Sequence, residues 1–190
     1  MAPRLLNSAR MRLLCAFAVA AACAGLPQPA SPPVQGTVSN ALIKAVYLLN
    51  FARFTEWPAG AVKGPLTLCV LGDPDVAASL DSLIGDRTIN GRDVSVARIE
   101  TFRIVRSCHV LFVSGDDPAR ASDALDAVAS QHVFTVGEGE LFARTGGVAA
   151  LFTEDSRPRF GINPEALNRA GLRVSSKMLG LARLIKAEPR

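Results

Sequence analysis

Histidines and cysteines supply much of the nucleophilic and metal-binding chemistry of proteins. The sequence has two histidines, His109 and His132, and each lies at the edge of an apolar run. Nucleophilic catalysis needs a base beside a nucleophile, and the sequence has no G-x-S-x-G turn. Cys108 and His109 are adjacent, so a strand would send them to opposite faces, and no second ligand pair follows at zinc spacing. The sequence therefore predicts no catalytic residue, no metal site and no enzyme.

Phosphate-binding and acidic motifs are the next candidates for chemistry. Gly137-Glu138-Gly139 is followed by Phe142 where a dinucleotide-binding loop needs glycine, and the two glutamates of this segment would repel phosphate. Four acids follow predicted strands, which is also the pattern of an acidic cluster at the carboxyl edge of a sheet: Asp73, Asp75, Asp116 and Asp117. Helix capping is the simpler interpretation, because each pair precedes or flanks a proline at a helix start. We expect no cofactor.

The two cysteines that follow the N-terminal region, Cys69 and Cys108, both lie in apolar runs typical of buried strands. Two cysteines in an oxidising compartment are expected to pair. The sequence therefore predicts a Cys69–Cys108 disulfide, and the alternative is two separate buried thiols.

The compartment itself is indicated by the N-terminus. Arg4, Arg10 and Arg12 form a basic leader, residues 13–22 form an uncharged apolar run, and Ala22-Cys23-Ala24 has the small residues of a signal-peptidase site. We therefore expect a signal peptide over residues 1–24, cleavage between residues 24 and 31, and a proline-rich leader over residues 25–37. An uncleaved membrane anchor and lipidation at Cys23 are the alternatives.

The composition limits the class of protein. A chain of 190 residues with 49% apolar and 20% charged residues suits one folded domain, which we place at residues 38–190. Three of the 21 basic residues are in the leader, which leaves 18 against 17 acids. A net charge near +1 gives no support to a nucleic-acid partner, which needs a concentrated basic face.

The order of predicted elements favours an α/β fold. Ser39 caps a mostly apolar helix from Asn40 to about Arg53, and strand-like runs follow at 66–71, 94–99, 109–113, 132–136, 147–152 and 158–162. Helices are predicted after Asp73-Pro74, after Asp117-Pro118 and after Asn163-Pro164, and a last one runs from Ser176 to about Lys186 with Met178, Leu181, Leu184 and Ile185 on one face. Strands alternating with helices predict a three-layer α/β/α sandwich with a mostly parallel central sheet, flanked by an antiparallel hairpin near residues 154–157.

A set of ordered motifs resembles the YfiR/HmsC-like periplasmic family over about residues 40–186. The segments that carry the resemblance are 44–58, 69–73, 108–114, 135–137, 142–147, 159–163 and 171–179. The resemblance implies a periplasmic repressor that binds the periplasmic part of an inner-membrane diguanylate cyclase and holds down cyclic-di-GMP synthesis and biofilm formation. It also implies homodimers and an OmpA-like outer-membrane lipoprotein that sequesters the repressor. Some relatives have a second cysteine pair where this chain has Ala143 and Ala150, so a switch that needs two bridges is not expected.

A repressor needs a binding surface and no active site, so apolar and cationic residues outside the core are the candidates. These are Tyr47, Phe54, Trp57, Arg157, Arg159, Ser175 and Lys177. For each the alternative is structural: a lid over the sheet edge for Trp57, a solvated strand edge for the arginines, and a helix start for Ser175 and Lys177. A second functional hypothesis is a periplasmic small-ligand sensor with a cleft beside Tyr47, Trp57 and Arg159.

Overall fold

A seven-stranded sheet forms the centre of the fold in the computed structural model, which describes residues 39–115 and 117–188 apart from the side chains of residues 103 and 104. The predictions for the signal peptide, the leader and Asp116 lie outside these residues. The strands are β1 (Thr55–Glu56), β2 (Leu66–Leu71), β3 (Val94–Ile99), β4 (Val110–Val113), β5 (Phe134–Glu138), β6 (Ala149–Glu154), β7 (Arg157–Ile162), β8 (Arg173–Val174) and β9 (Arg183–Leu184). The main sheet has the order β3-β2-β4-β5-β6-β7-β9, and β1 pairs with β8 in a separate two-stranded sheet.

Within the residues that the structure describes, six α-helices connect the strands, and most begin at a side-chain cap. They are α1 (Asn40–Phe54), α2 (Pro74–Ile84), α3 (Pro118–Ala127), α4 (Gly139–Arg144), α5 (Pro164–Arg169) and α6 (Ser176–Leu181). The caps are Ser39, Asp73, Asp117, Asn163 and Ser175, each accepting a bond from a backbone N–H of the first turn. Proline occupies the start of α2, α3 and α5, where a missing N–H costs nothing.

The helices cover both faces of the sheet, which confirms the predicted α/β sandwich. On one face, α1 and α2 pack against alternate strand residues such as Leu68, Phe112 and Phe134. On the other face, α3 and the 3-10 helix Phe102–Ser107 enclose the intervening residues, such as Leu111 and Val113. Strands covered on both faces have nearly continuous apolar sequences, which is why they were recognisable in the chain.

Strand order reverses beside β2, and this reversal opens a crevice at the carboxyl edge of the sheet. Strand β2 has β3 on one side and β4 on the other, and both pairs are parallel. The connection from β2 through α2 therefore leads to β3 on one side, whereas the connection from β4 through α3 leads to β5 on the other side. The loops that follow β2 and β4 therefore separate at the carboxyl edge of the sheet and leave a crevice there. In open parallel sheets, such a point is the usual place for ligands.

The C-terminal third agrees with the prediction in part. The antiparallel hairpin is present as β6 and β7, which turn at Asp155 and Ser156 with positive φ. The helix predicted to reach Lys186 ends instead at Leu181, and residues 183–184 pair with β7 in parallel. The predicted inward face was therefore wrong for Leu181 and Leu184, which are 77% and 63% exposed. The open edge of β7 offers backbone hydrogen bonds, such as Ile185 N–H to the Ile162 carbonyl at 2.8 Å, that a continued helix would forgo.

Helix α4 was not predicted from the sequence, because its six residues are too few to show a helical period. Among the described residues, no helix combines the length and the apolar character needed to cross a membrane.

Candidate functional site

The carboxyl edge of the sheet carries a cluster of charged and polar groups, which we call the edge cluster: Lys44, Asp73, Ser114, Gly115 and Glu138. Lys44 of α1 extends its ammonium to Glu138 Oε1 at 3.0 Å and to Asp73 Oδ2 at 3.4 Å. The same Glu138 oxygen accepts bonds from Ser114 Oγ at 3.0 Å and from Gly115 N–H at 3.2 Å. The cluster thus joins α1 to the loops that follow β2, β4 and β5.

The electrostatics of the edge cluster favour an ionised Glu138. Burial alone would raise the pKa of this carboxyl group, but the hydrogen bonds from Lys44, Gly115 and Ser114, with the charge of Lys44, outweigh burial and hold the pKa below its ordinary value of 4.5. The ammonium also lies 5.7 Å from the centre of the Phe112 ring. An ionised carboxylate with this many donors is an acceptor of fixed orientation, not a proton donor.

Three cavities surround the edge cluster. One of about 540 Å³ lies between the ends of β2 and β3 and the start of α3, and Arg98, Glu100 and Arg120 contribute to its wall. A second, of about 610 Å³, lies between α3 and α4 and is lined mainly by apolar residues such as Leu125 and Phe142. A third, of about 300 Å³, lies beside Lys44, Tyr47, Glu138 and Arg159.

Gly137, near the end of β5, packs closely against an aromatic ring. The ring of Phe142 lies directly against Gly137 and Gly147, at the two places where a side chain would otherwise begin. The close backbone approach that glycine permits is therefore taken up by a phenylalanine of α4.

Asp73 and Asp117 act as helix caps in the structure. Asp73 Oδ1 accepts from Val76 N–H at 3.1 Å, and Asp117 Oδ1 accepts from Ala119 N–H at 3.0 Å. Over residues 39–115 and 117–188, no group of three or more histidine, cysteine, aspartate or glutamate side chains is placed to hold a metal ion.

The candidate surface residues lie in three places, and the first is where the middle of α1 contacts the β6–β7 hairpin. Tyr47 is half-buried, its hydroxyl donates to the Pro158 carbonyl at 3.1 Å, and its ring packs on Phe160. Arg157 and Arg159 are both exposed, but the β6–β7 register places them on the opposite face of the hairpin from Phe160. Arg159 lies 3.9 Å from the carboxylate of Glu154.

The second place is the C-terminal end of α1, where Phe54, Ser175 and Lys177 meet. Phe54 is 39% exposed, and its carbonyl accepts from Ser175 N–H at 3.0 Å. Ser175 caps α6 through a bond from Met178 N–H at 3.3 Å, and Lys177 is exposed in the first turn of that helix. This geometry gives Ser175 the structural role of a helix start.

Trp57 lies in a third place, at the amino edge of the sheet. Its indole N–H donates to the His132 carbonyl at 3.0 Å, and its ring meets His109 edge-on at 6.2 Å between centres. Trp57 borders a cavity with Pro58 and Arg92, whereas Tyr47 and Arg159 border another. The hypothesis of one cleft beside all three residues is therefore wrong for Trp57, because the two cavities share no lining residue.

His109 has a structural role beside Trp57. Its Nδ1 accepts from Thr67 N–H at 2.9 Å, and its own N–H donates to the Thr67 carbonyl at 2.8 Å. Burial lowers the pKa of this histidine below its ordinary value of 6.5; a backbone hydrogen bond with Ala61 opposes the shift and the charge of Arg92 adds to it. The neutral ring thus extends the β2–β4 ladder by a side-chain bond.

The structure contains a disulfide between Cys69 of β2 and Cys108, just before β4, with the two Cα atoms 5.7 Å apart. The side chains are 1% and 3% exposed, beneath α3 and the 3-10 helix. Both cysteines lie on the sheet face opposite α1, so the disulfide faces away from the edge cluster and from Tyr47.

Lys44, Ser114 and Glu138 are the site residues that the sequence analysis missed. A usable signal was present, since Lys44 is the one charged residue between Asn40 and Ala52 in an otherwise apolar helix. Ser114 and Glu138 stand where two neighbouring parallel strands end, so their side chains were bound to converge.

Comparison with known proteins identifies a family and finds distant structural similarities. A family model described as YfiR/HmsC-like matches residues 41–183. Among solved structures, the chain is similar to an ABC domain in complex with L-Trp from Streptococcus pneumoniae, with a TM-score of 0.45 and 10% identity over 63% of this chain and 55% of that chain. It is also similar to a conserved domain protein from Vibrio cholerae O1 biovar El Tor, with a TM-score of 0.45 and 14% identity over 75% of this chain and 59% of that chain. The chain thus matches less than two thirds of the length of either structure.

Proposed function

We propose that this chain, which belongs to the YfiR/HmsC-like family, acts in the periplasm as a repressor of an inner-membrane diguanylate cyclase. Members of this family are periplasmic regulatory proteins of diguanylate cyclase signalling. The observation that carries the proposal is the family match over residues 41–183, which includes β2 to β7 of the main sheet and the first residue of β9. An OmpA-like lipoprotein of the outer membrane is the expected antagonist, because it would sequester the repressor.

Repression requires a difference in binding, not chemistry. The repressor must bind the inactive state of the cyclase more tightly than the active state, and equal binding to both would leave the cyclase unchanged. To raise the inactive state of the cyclase from about 1% to about 99% of the population, the repressor must bind that state about 5.5 kcal/mol more tightly than the active state. A rigid surface with a few well-placed apolar anchors can supply a free energy of that size.

The outer side of α1 is the surface we assign to the cyclase. Val46 and Phe54 are exposed hydrophobic residues of this helix, at 43% and 39%. Tyr47 and Phe54 are seven residues apart and therefore lie on one face, about 10 Å from each other along the axis. Lys177 adds a cation at one end of this helix surface, close to Phe54 through Ser175.

The genetic test is the cyclic-di-GMP level of a strain that lacks the gene. We expect the level to rise in the deletion strain and to fall again on complementation with the wild-type gene. Complementation with Val46→Asp/Phe54→Ala should leave the level high, whereas Leu141→Ala, at an exposed leucine of α4 outside this surface, should restore it.

The two parts of the proposal can fail separately. An unchanged level in the deletion strain, with the protein demonstrably expressed in the parent, would contradict repression. A fully active Val46→Asp/Phe54→Ala variant would contradict the helix surface while leaving repression intact. Purified variants should be compared with wild type in thermal melts, so that a loss of folding is not mistaken for a loss of binding.

A small-ligand sensor remains the second candidate function, and the cavity beside Lys44, Tyr47 and Arg159 is the observation that favours it. Its volume of about 300 Å³ is at the lower end for small-molecule sites. A saturable thermal shift with a periplasmic small molecule, abolished by Tyr47→Ala, would support the sensor function. Absence of any shift across a library of such molecules would leave repression through protein contacts alone.

A further inference from the structure

The amino edge of the sheet, where the parallel strands begin, carries exposed cations around one loop. This loop, residues 57–65, connects β1 to β2; it contains one lysine and no acid, and residues 59–60 and 63–65 are exposed. We call the charged residues around it the amino face: Arg53, Glu56, Lys63, Arg92, Asp93, Arg173 and Lys177. All seven are exposed, and the five cations exceed the two acids by three.

Hydrogen bonds hold Arg53 and Arg92 beside the loop. Asn90 Nδ2 donates to the Arg53 carbonyl at 3.1 Å, so the end of α1 lies against the turn that precedes β3. The Arg92 guanidinium, two residues further along that turn, donates to the Val62 carbonyl at 3.4 Å. That bond uses one of the five guanidinium N–H groups and leaves the Arg92 side chain exposed.

Strand β8 and helix α6 bring Arg173 and Lys177 to the same edge. Arg173 lies opposite Glu56 in the β1–β8 pair, and Glu56 immediately precedes the loop. Ser175 N–H donates to the Phe54 carbonyl at 3.0 Å, which places the first turn of α6, with Lys177, beside the end of α1. The five cations therefore come from five separate segments of the chain, and the fold gathers them around one loop.

The cations of the amino face are not neutralised by ion pairs. Over residues 39–115 and 117–188, none of the five lies within 4.0 Å of a carboxylate oxygen. The cations that do form ion pairs are others: Lys44, Arg98, Arg144, Arg159 and Arg183. Unpaired, exposed cations dominate the electrostatic potential outside this edge of the sheet.

The opposite edge of the sheet has the opposite charge. The loops and helix starts at the carboxyl edge carry six acids and two cations: Asp73, Asp75, Glu100, Asp117, Glu138 and Glu140, with Lys44 and Arg120. The small net charge of the chain beyond its leader thus conceals a separation of charge along the strands. A negatively charged surface attracts the amino edge of such a molecule and repels the carboxyl edge, so it favours one orientation.

We propose that the amino face binds the anionic phospholipid headgroups of a membrane, with the loop 57–65 toward the bilayer and the edge cluster away from it. Each cation near an anionic bilayer raises affinity roughly fivefold, so an excess of three gives reversible, salt-sensitive binding. Helix α1 runs from the edge cluster to the amino face, so its outer side stands beside the membrane that anchors the proposed cyclase. The proposal shares the periplasmic location with the proposed function and does not require repression.

Sedimentation with lipid vesicles tests the binding. Purified mature protein is mixed with vesicles of phosphatidylcholine, or of phosphatidylcholine and phosphatidylglycerol in equal parts. We expect binding to the mixed vesicles in about 0.02 M salt and at least about tenfold weaker binding in about 0.5 M salt, because the screening length shortens. Vesicles of phosphatidylcholine alone should leave the protein in the supernatant.

Two substitutions with the same change in net charge locate the binding face. Lys63→Glu reverses a charge of the amino face, and Arg120→Glu reverses an exposed charge at the carboxyl edge. We expect Lys63→Glu to weaken binding to the mixed vesicles at least about tenfold, and Arg120→Glu to stay within about threefold of wild type. Circular dichroism checks the folding of both variants, and Lys63→Gln, with about fivefold weaker binding expected, replaces Lys63→Glu if that variant does not fold.

Energy transfer to dansyl-labelled lipid headgroups tests the orientation. Trp57 is the one tryptophan of the sequence, and it begins the loop. Transfer from Trp57 in the wild-type protein should be stronger than transfer in Trp57→Phe/Phe152→Trp, which moves the donor to β6 near the carboxyl edge. Equal or stronger transfer from position 152 would overturn the orientation.

Equal sedimentation with neutral and mixed vesicles at low salt would overturn the membrane assignment, and it is the result expected if the basic face serves a protein partner instead. A Lys63→Glu variant that binds as tightly as wild type would overturn it too, as would an equal loss in Arg120→Glu. These measurements contain no cyclase, so their failure leaves repression intact. An unchanged cyclic-di-GMP level in the deletion strain likewise leaves vesicle binding intact.

Discussion

At the scale of single residues, Glu138 has the most consequential contacts of the edge cluster. Its carboxylate accepts bonds from Lys44, Ser114 and Gly115, so Glu138→Gln would leave the Lys44 ammonium with a weaker partner in a half-buried position. We expect a loss of roughly 2 kcal/mol in the free energy of unfolding, measured by urea denaturation at pH 7. Because the pKa of Glu138 is lowered in the folded state, its contribution is complete above pH 4.5 and is lost as the pH falls below that value. The variant should therefore lose less stability than wild type over that acidic range, and parallel curves would contradict the assignment.

His109 gives a second prediction, at higher pH. The folded-state pKa lies below 6.5, so the unfolded chain binds a proton first as the pH falls, and folding is opposed increasingly below about pH 6.5 until the folded ring also protonates. In His109→Asn, the amide oxygen can accept from Thr67 N–H but does not titrate. We expect the free energy of unfolding of wild type to decrease more steeply between pH 7 and pH 5 than that of the variant. Equal slopes would show that the ring does not stay neutral.

At the scale of elements, the packing of α4 against the sheet depends on glycine. Gly137 of β5 faces the Phe142 ring so closely that a methyl group in its place would overlap the ring. We expect Gly137→Ala to cost about 1–3 kcal/mol, because Phe142 must shift in a dense interior. Gly180→Ala in α6 is the matched control, since nothing lies within 4 Å of the position; it should be neutral or stabilising by a few tenths of a kcal/mol. A thermal melt in which Gly137→Ala is as stable as Gly180→Ala, or more stable, would contradict this packing.

The disulfide is the covalent link between two elements, β2 and the start of β4, across a sequence separation of 39 residues. Its removal in Cys69→Ala/Cys108→Ala should lower the free energy of unfolding by roughly 4 kcal/mol in the chain-entropy estimate. Because both sulfurs are buried, we expect the bridge to resist mild reductant and to support stability without acting as a switch. Two free thiols in non-reducing mass spectrometry of the mature protein would contradict the pairing. Opening under mild reductant, with release of a folded protein from its cyclase, would show a switch.

At the scale of the whole molecule, both the proposed partner and the disulfide require that the chain is exported to the periplasm, which is an oxidising compartment. We expect the mature protein to begin between residues 24 and 31, because a basic leader and a short apolar run precede small residues there. N-terminal sequencing of protein from the periplasmic fraction is the measurement. A chain that begins at Met1 or Ala2 would contradict cleavage, and an acylated Cys23 would instead favour a lipoprotein.

Local sequence determined the class of fold and most element positions. Proline after a capping aspartate marks the starts of α2 and α3, and nearly continuous apolar runs mark β2, β4 and β5, because these signals depend on neighbours in the chain. The same reasoning reached the cysteine pair, since the expected cleavage of the signal peptide would leave Cys69 and Cys108. The ordered motifs also indicated the family that the match over residues 41–183 shows.

Only the tertiary structure decided which distant residues meet. Lys44 and Glu138 are 94 positions apart, and their ion pair exists because α1 lies over the carboxyl ends of β2, β4 and β5. Trp57 and Tyr47 are close in sequence but border different cavities, so nearness along the chain did not make one cleft. The residues after Leu181 left the helix because β7 had an open edge to pair with, and that edge is a property of the assembled sheet. Local helix and strand propensities are weak compared with the backbone hydrogen bonds and the burial that distant strands provide. Those hydrogen bonds and that burial cannot be predicted before the strand order is known.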